Sequence, residues 1–236
     1  RKIPLFAAQE CHESLALCQL EIFHREPLEG GREVRLGPMT LTPFLVPHDS
    51  VCCYGFSVEA SGVKAVQATD LGQPTSLVRE RLRGAHCMLL EFNHDLDRLM
   101  SGSYPMHIKI RVRGSLGHLS NEQAARLLAE AVNGETRAIY LMHLSKENNL
   151  PQLALLAARE ALGGKVARQP RVARSVQEKV GRALLPEPAQ AVEIRPAQLD
   201  SDGVVLGAVG LVLYDLFKPS RIPALAAGNG ENGGQR

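Results

Sequence analysis

The sequence has no tryptophan, and aromatic residues make up only 4% of it. Hydrophobic residues nevertheless reach 44%, so the chain can bury a core, and that core must be aliphatic, built from Leu, Val, Ile and Ala. No run approaches the roughly 18 apolar residues of a membrane-crossing helix, and the opening residues do not read as a secretion signal. The five cysteines, Cys11, Cys18, Cys52, Cys53 and Cys87, are odd in number and contain no Cys-x-x-Cys pair. That pattern argues against a disulfide framework and against a structural zinc ribbon, and leads us to expect reduced thiols and a cytoplasmic setting. A formal charge of +2 is too small to imply a nucleic-acid partner by itself.

What is present is an alternation of short apolar runs and helical patterns. Residues 3–7 read as a strand and 8–20 as a helix. Residues 27–49, broken by a Gly-Gly and a Gly-Pro turn, read as antiparallel strands. The runs 58–60 and 63–68, joined by Ser61-Gly62, form a hairpin. A helix is predicted over 74–83, with a Pro-Thr-Ser start and Gly84 at its end. The apolar run 86–92 is a buried strand. Residues 121–132 form a helix capped by Ser120, with Glu122 in its first turn. Residues 138–142 form another buried strand, and Pro151 opens a helix that runs to Gly163-Gly164. In 107-HIKIRVRG-114, Lys109, Arg111 and Arg113 recur at period two, as on a solvated strand face. The class expected is α/β, a mixed sheet layered with helices.

Polar groups recur where strands end. His48 and Asp49 follow Phe44–Val46, Asp70 follows 63–68, Asn93-His94-Asp95 follow 87–92, and His143 follows 138–142. Taken singly, such a residue is usually a cap. Brought to one sheet edge, where layered α/β folds bind ligands, imidazole and carboxylate suit zinc or manganese. With no cysteine among them, they suit a catalytic rather than a structural site.

The motifs VPHDS, ATDLG, EFNHD, GHLSNEQA and YLMHLSKENN, spread over residues 1–164, resemble the metallo-β-lactamase superfamily. The resemblance is to the branch related to bacterial DNA exonucleases and other phosphodiesterases. It implies an αββα sandwich and two divalent metal ions, zinc or manganese. His48 would hold the first metal, Asp70 would bridge both, and His143 would hold the second. It further implies in-line attack on phosphorus by a metal-bridging hydroxide, with nucleic acid or another phosphodiester as substrate. Chemistry adds His94, His118 and Asp95 as candidate catalytic residues, since an imidazole can donate to a phosphate oxygen or protonate a leaving alkoxide. Ser120, Asn121, Ser145, Asn148 and Asn149 are candidate phosphate contacts, with helix capping or support of His143 as the alternative.

The His-x-His-x-Asp-His signature of that superfamily is missing, because no two histidines stand two residues apart. The chain is therefore expected to begin downstream of it, as an N-terminally incomplete domain, with a degenerate homologue as the alternative. A noncatalytic binding or regulatory protein is the competing reading, and a hydrolase of thioesters or lactones is a third. Beyond residue 164, 165–190 read as a basic, Pro-punctuated linker. Residues 191–223 read as a strand and helix resembling the end of the ROK family of sugar kinases and repressors. Residues 224–236 are Gly/Asn-rich and expected to be disordered.

Overall fold

Ser61 and Gly62 take positive φ, 49° and 76°, the backbone of a two-residue turn whose twist matches the strands it joins. Around that turn β5 (Tyr54–Ala60) and β6 (Val63–Ala68) pair antiparallel, as the sequence predicts. The computed structural model describes residues 5–17, 24–163 and 171–173. Two further strands, β3 (Val34–Leu36) and β4 (Met39–Leu45), continue the antiparallel side. On the other side β7 (Cys87–Glu91), β8 (Ala138–Met142) and β9 (Arg171–Ala173) add in parallel, giving one seven-stranded mixed sheet ordered from β3 to β9. A separate pair joins β1 (Leu5–Ala7) to β2 (Arg25–Pro27) in parallel, with α1 (Gln9–Leu17) between them.

The strand register sorts the side chains into layers. Val66, Met88 and Ile139 form one row across β6, β7 and β8, and Ala68, Leu90 and Leu141 form the next. All six are buried, and against them pack α2 (Ser76–Leu82), α5 (Asn121–Ala131) and α6 (Pro151–Leu162). Those helices contribute Val78 and Leu82, then Leu127 and Leu128, then Ala154 and Ala158. The core is aliphatic, with Phe44 and Phe92 its large fully buried aromatics. No helix among the described residues is long and apolar enough to cross a membrane.

Three expectations are corrected. Residues 107–114 are not a strand: α4 (Met106–Val112) is a helix, following α3 (Leu96–Ser101). The alternation of charge misled because Lys109 points inward, where its ammonium donates to the carbonyls of Met100 and Gly102, each at 2.7 Å. Pro27 belongs to a parallel strand beside β1 rather than to the antiparallel series, because Leu5 to Ala7 offer it a free edge. Within the expected linker 165–190, Arg171–Ala173 add to β8 as β9. The rest of that linker, the ROK-like segment 191–223 and the tail 224–236 lie outside the described residues.

Gly72, just past Asp70, is where two loops meet. Its N–H donates to Pro47 O at 2.9 Å, and a Cβ there would lie 2.5 Å from Gly114 O and from Gly117 N, backbone atoms that cannot swing aside. Gly72→Ala is therefore expected to lower stability by about 1–3 kcal/mol, seen as a fall in the urea midpoint with the secondary-structure signal unchanged.

Candidate metal centre

β4, β6, β7 and β8 all run the same way, because β5 is antiparallel to both β4 and β6. Their carboxyl ends therefore share one edge of the sheet, and the polar residues that follow them come together there. Glu91 is the last residue of β7, Asp70 lies two residues past β6, His143 one past β8 and His48 three past β4. His118 reaches the same place from the loop before α5. Ligand atoms of Asp70, Glu91, His118 and His143 all lie within 4.8 Å of one another. The His118 ring lies 5.0 Å, centroid to centroid, from the rings of both His48 and His143.

Glu91 organises this group. It is wholly buried, and four donors saturate it. One oxygen accepts from His118 Nδ1 at 2.9 Å and from His143 Nδ1 at 2.8 Å. The other accepts the backbone N–H of Leu71 at 3.1 Å and of Leu119 at 3.2 Å. Burial alone would favour the neutral acid, but the hydrogen bonds and charge of the two histidines outweigh it and hold the carboxyl at about 2. The sequence reading missed Glu91. The signal was there, a single acid closing the otherwise apolar strand CMLLE.

The backbone is also held in an uncommon form. Asp70 and His143 have φ of 57° and 54°, the left-handed region that non-glycine residues rarely occupy. Such conformations cost on the order of 1–3 kcal/mol each and persist where the surroundings dictate them, most often at functional sites. They turn Asp70 Oδ1 to within 3.2 Å of His143 Nδ1. His48 Nδ1 donates to Gly117 O at 3.2 Å, which in the neutral ring leaves Nε2 unprotonated, as metal ligation requires. Oxygen and nitrogen donors with no thiolate, two imidazoles tied through Nδ1 to a carboxylate, and a second carboxylate between them fit a zinc or manganese site.

The remaining candidates are placed differently. His94 is 1% exposed and both its ring nitrogens lack a hydrogen-bond partner; burial first of all lowers its pKa and keeps the ring neutral. Asp95 caps α3, accepting from Arg98 N at 2.9 Å. Ser120 caps α5, with Gln123 completing a reciprocal capping box. Asn121 and Asn149 exchange side-chain hydrogen bonds of 3.0 and 2.9 Å, and Asn149 also donates to the carbonyls of Phe92 and Asn93. Ser145 Oγ accepts from Asn148 N at 3.1 Å, and the Asn148 carbonyl accepts from Asp95 N at 2.9 Å. Asn121, Asn148 and Asn149 are thus buried and spend their hydrogen bonds on loop ends. These bonds tie together the loops that carry His94, His118 and His143.

A family model described as a beta-lactamase superfamily domain matches residues 1–144. The chain belongs to that superfamily. Among curated relatives, it is 34% identical over 146 residues to the exodeoxyribonuclease WalJ of Streptococcus pneumoniae, covering 62% of this chain and 54% of that protein. It is 33% identical over 126 residues to the exodeoxyribonuclease YycJ of Bacillus anthracis, covering 53% and 48%. The chain spans about half the length of the curated relatives it matches. Among solved structures it is similar to the metallo-beta-lactamase fold protein YhfI of Bacillus subtilis, with a TM-score of 0.53 and 16% identity over 72% of this chain and 61% of that one. The fold is the layered α/β fold of the metallo-β-lactamases.

The carboxyl of Glu91 makes a testable contribution to superfamily geometry. Because its folded pKa of about 2 lies below the ordinary 4.5, the stability it adds is present above about pH 4.5 and is lost as pH falls toward 2. Glu91→Gln is expected to cost on the order of 3 kcal/mol at neutral pH and to flatten the acid limb of stability against pH. Denaturant unfolding of both proteins across that range measures it.

Proposed function

We propose that this chain is part of a metal-dependent hydrolase of phosphodiester bonds that acts on nucleic acid. The observation that carries the reading is the convergence of Asp70, His118 and His143 on the buried carboxylate of Glu91 at the open edge of the sheet. The names of the relatives, both exodeoxyribonucleases, support nucleic acid as the substrate.

In this reading His48, Asp70 and His143 hold the metal ions. Two divalent ions bound there, zinc or manganese, would supply Lewis acidity and lower the pKa of a bound water toward neutrality. Asp70, whose Oδ1 lies 3.2 Å from His143 Nδ1, would be the carboxylate shared by the two ions. Glu91 fixes the orientation of His118 and His143 through Nδ1. His118, 20% exposed and 5.0 Å from the rings on either side, is in this reading the donor to a phosphate oxygen or a leaving alkoxide. His94 sits behind it, neutral, with Asp95 holding the start of α3. Ser120 and Ser145 stand at loop ends beside the centre.

The direct test uses a protein that also contains a His-x-His-x-Asp-His segment, with a phosphodiester reporter and either metal. Asp70→Ala is expected to abolish turnover with the fold intact; normal turnover with normal metal content would overturn the assignment. His118→Ala is expected to lower turnover by about 10²–10⁴-fold with metal content unchanged, whereas equal loss of metal would make His118 a ligand.

In this reading residues 1–236 supply only His48 to the first ion and Asp70 with His143 to the second, and they contain no pair of closely spaced histidines. A catalytic zinc takes about three protein ligands and a water. The chain as given is therefore expected to bind zinc weakly, at no more than one ion per chain, without phosphodiester turnover. Calorimetric titration decides this: two tight sites would mean that the ligands within these residues suffice.

A further inference from the structure

Between Asp97 and Glu122 the chain has no acidic residue, in a protein whose charges otherwise nearly balance. This stretch contains α4 and the turn that leads to His118. Helical spacing puts Met106 and Ile110 on one face, and Arg113 extends the same stripe. Met106 and Ile110 are 58% and 59% exposed, and Leu116 in the turn is 53% exposed. The stripe is continuous with the metal centre. Leu116 O accepts the N–H of Asp49 at 3.0 Å, Gly117 O accepts from His48 Nδ1, and His118 is the next residue. Val51, 69% exposed, lies two residues beyond Asp49. Asp49 is the acid on this rim, and the guanidinium of Arg111, itself largely exposed, pairs with it through two hydrogen bonds.

We propose that this rim is the track for a single-stranded nucleic acid entering the centre, with phosphate on Arg113 and unstacked bases on Val51, Met106, Ile110 and Leu116. The proposal rests on the reading of the site as a phosphodiesterase of nucleic acid. Arg113 gives the rim its sign, since Lys109 is turned inward and Arg111 is paired with Asp49, and the apolar side chains give it its preference for single strands. A duplex offers phosphates but hides its base faces, so it gains nothing from exposed Ile and Leu; a single strand gains from both. A second copy of the chain is the weaker occupant. A two-fold dimer sets the same patch against itself, bringing arginine toward arginine.

The test is fluorescence anisotropy with the 236-residue chain in a chelating buffer, so that binding is read without hydrolysis. The probe is a labelled oligonucleotide of roughly 12 nucleotides, single-stranded or annealed to its complement, over a range of salt. The single strand is expected to bind more tightly than the duplex. Arg113→Glu is expected to weaken both and reduce the slope of log K against log salt by about 0.7 for the single strand. Ile110→Ser with Leu116→Ser is expected to remove most of the single-strand preference while circular dichroism stays unchanged. Equal binding of single strand and duplex, variants that bind like the parent, or absence of binding would overturn the proposal. So would salt-independent self-association that the double serine variant abolishes. Because the assay is metal-free, a protein that binds but fails in the hydrolysis assay refutes the proposed reaction and leaves the track standing.

Discussion

One buried carboxylate holds the centre together. Glu91 gathers the two histidines and the backbone N–H groups of Leu71 and Leu119, so a single side chain ties the end of β7 to the loops after β6, before α5 and after β8. A charge taken out of water is costly unless it is fully hydrogen-bonded, and this one is. Its cost becomes a constraint. The three loops take up the positions that complete its shell, and those positions put Asp70, His118 and His143 within reach of one another.

Around that shell lies a second one of amides. Asn149 binds Asn121 and the carbonyls of Phe92 and Asn93, while Asn93 donates to His143 O at 3.0 Å. Such a network fixes loop ends that have no regular partners of their own, and every bond it makes satisfies a group already removed from solvent. It also bears on the left-handed backbone at His143, whose carbonyl Asn93 holds. Conformations that disfavour themselves locally are kept by hydrogen bonds made elsewhere.

Much of this was legible in the chain. The hairpin at Ser61-Gly62, the helix capped by Ser120 and the Pro151 helix all follow from local signals, because turns, caps and proline act through the backbone nearby. His48, Asp70 and His143 were readable as a set, since each follows an apolar run and strand ends share an edge in a parallel sheet. Glu91 was not singled out: a lone acid closing CMLLE marks it, but its partners come from distant parts of the chain. The segment 107–114 was misread for a related reason. Its alternating charge suits a strand, and only the carbonyls of Met100 and Gly102 explain why Lys109 turns inward on a helix.

The sequence by itself determined the layered α/β class, the aliphatic core and the residue types able to hold a metal, since periodicity and composition express those directly. Tertiary structure alone decided which of the polar residues are brought together. Asn121, Asn148 and Asn149 look as available for substrate as His118 does along the chain. Folding buries Asn121 and Asn149 in one another's hydrogen bonds and leaves His118 at the open edge, because the shell of Glu91 closes only when residues some twenty to fifty positions away in the chain arrive beside it.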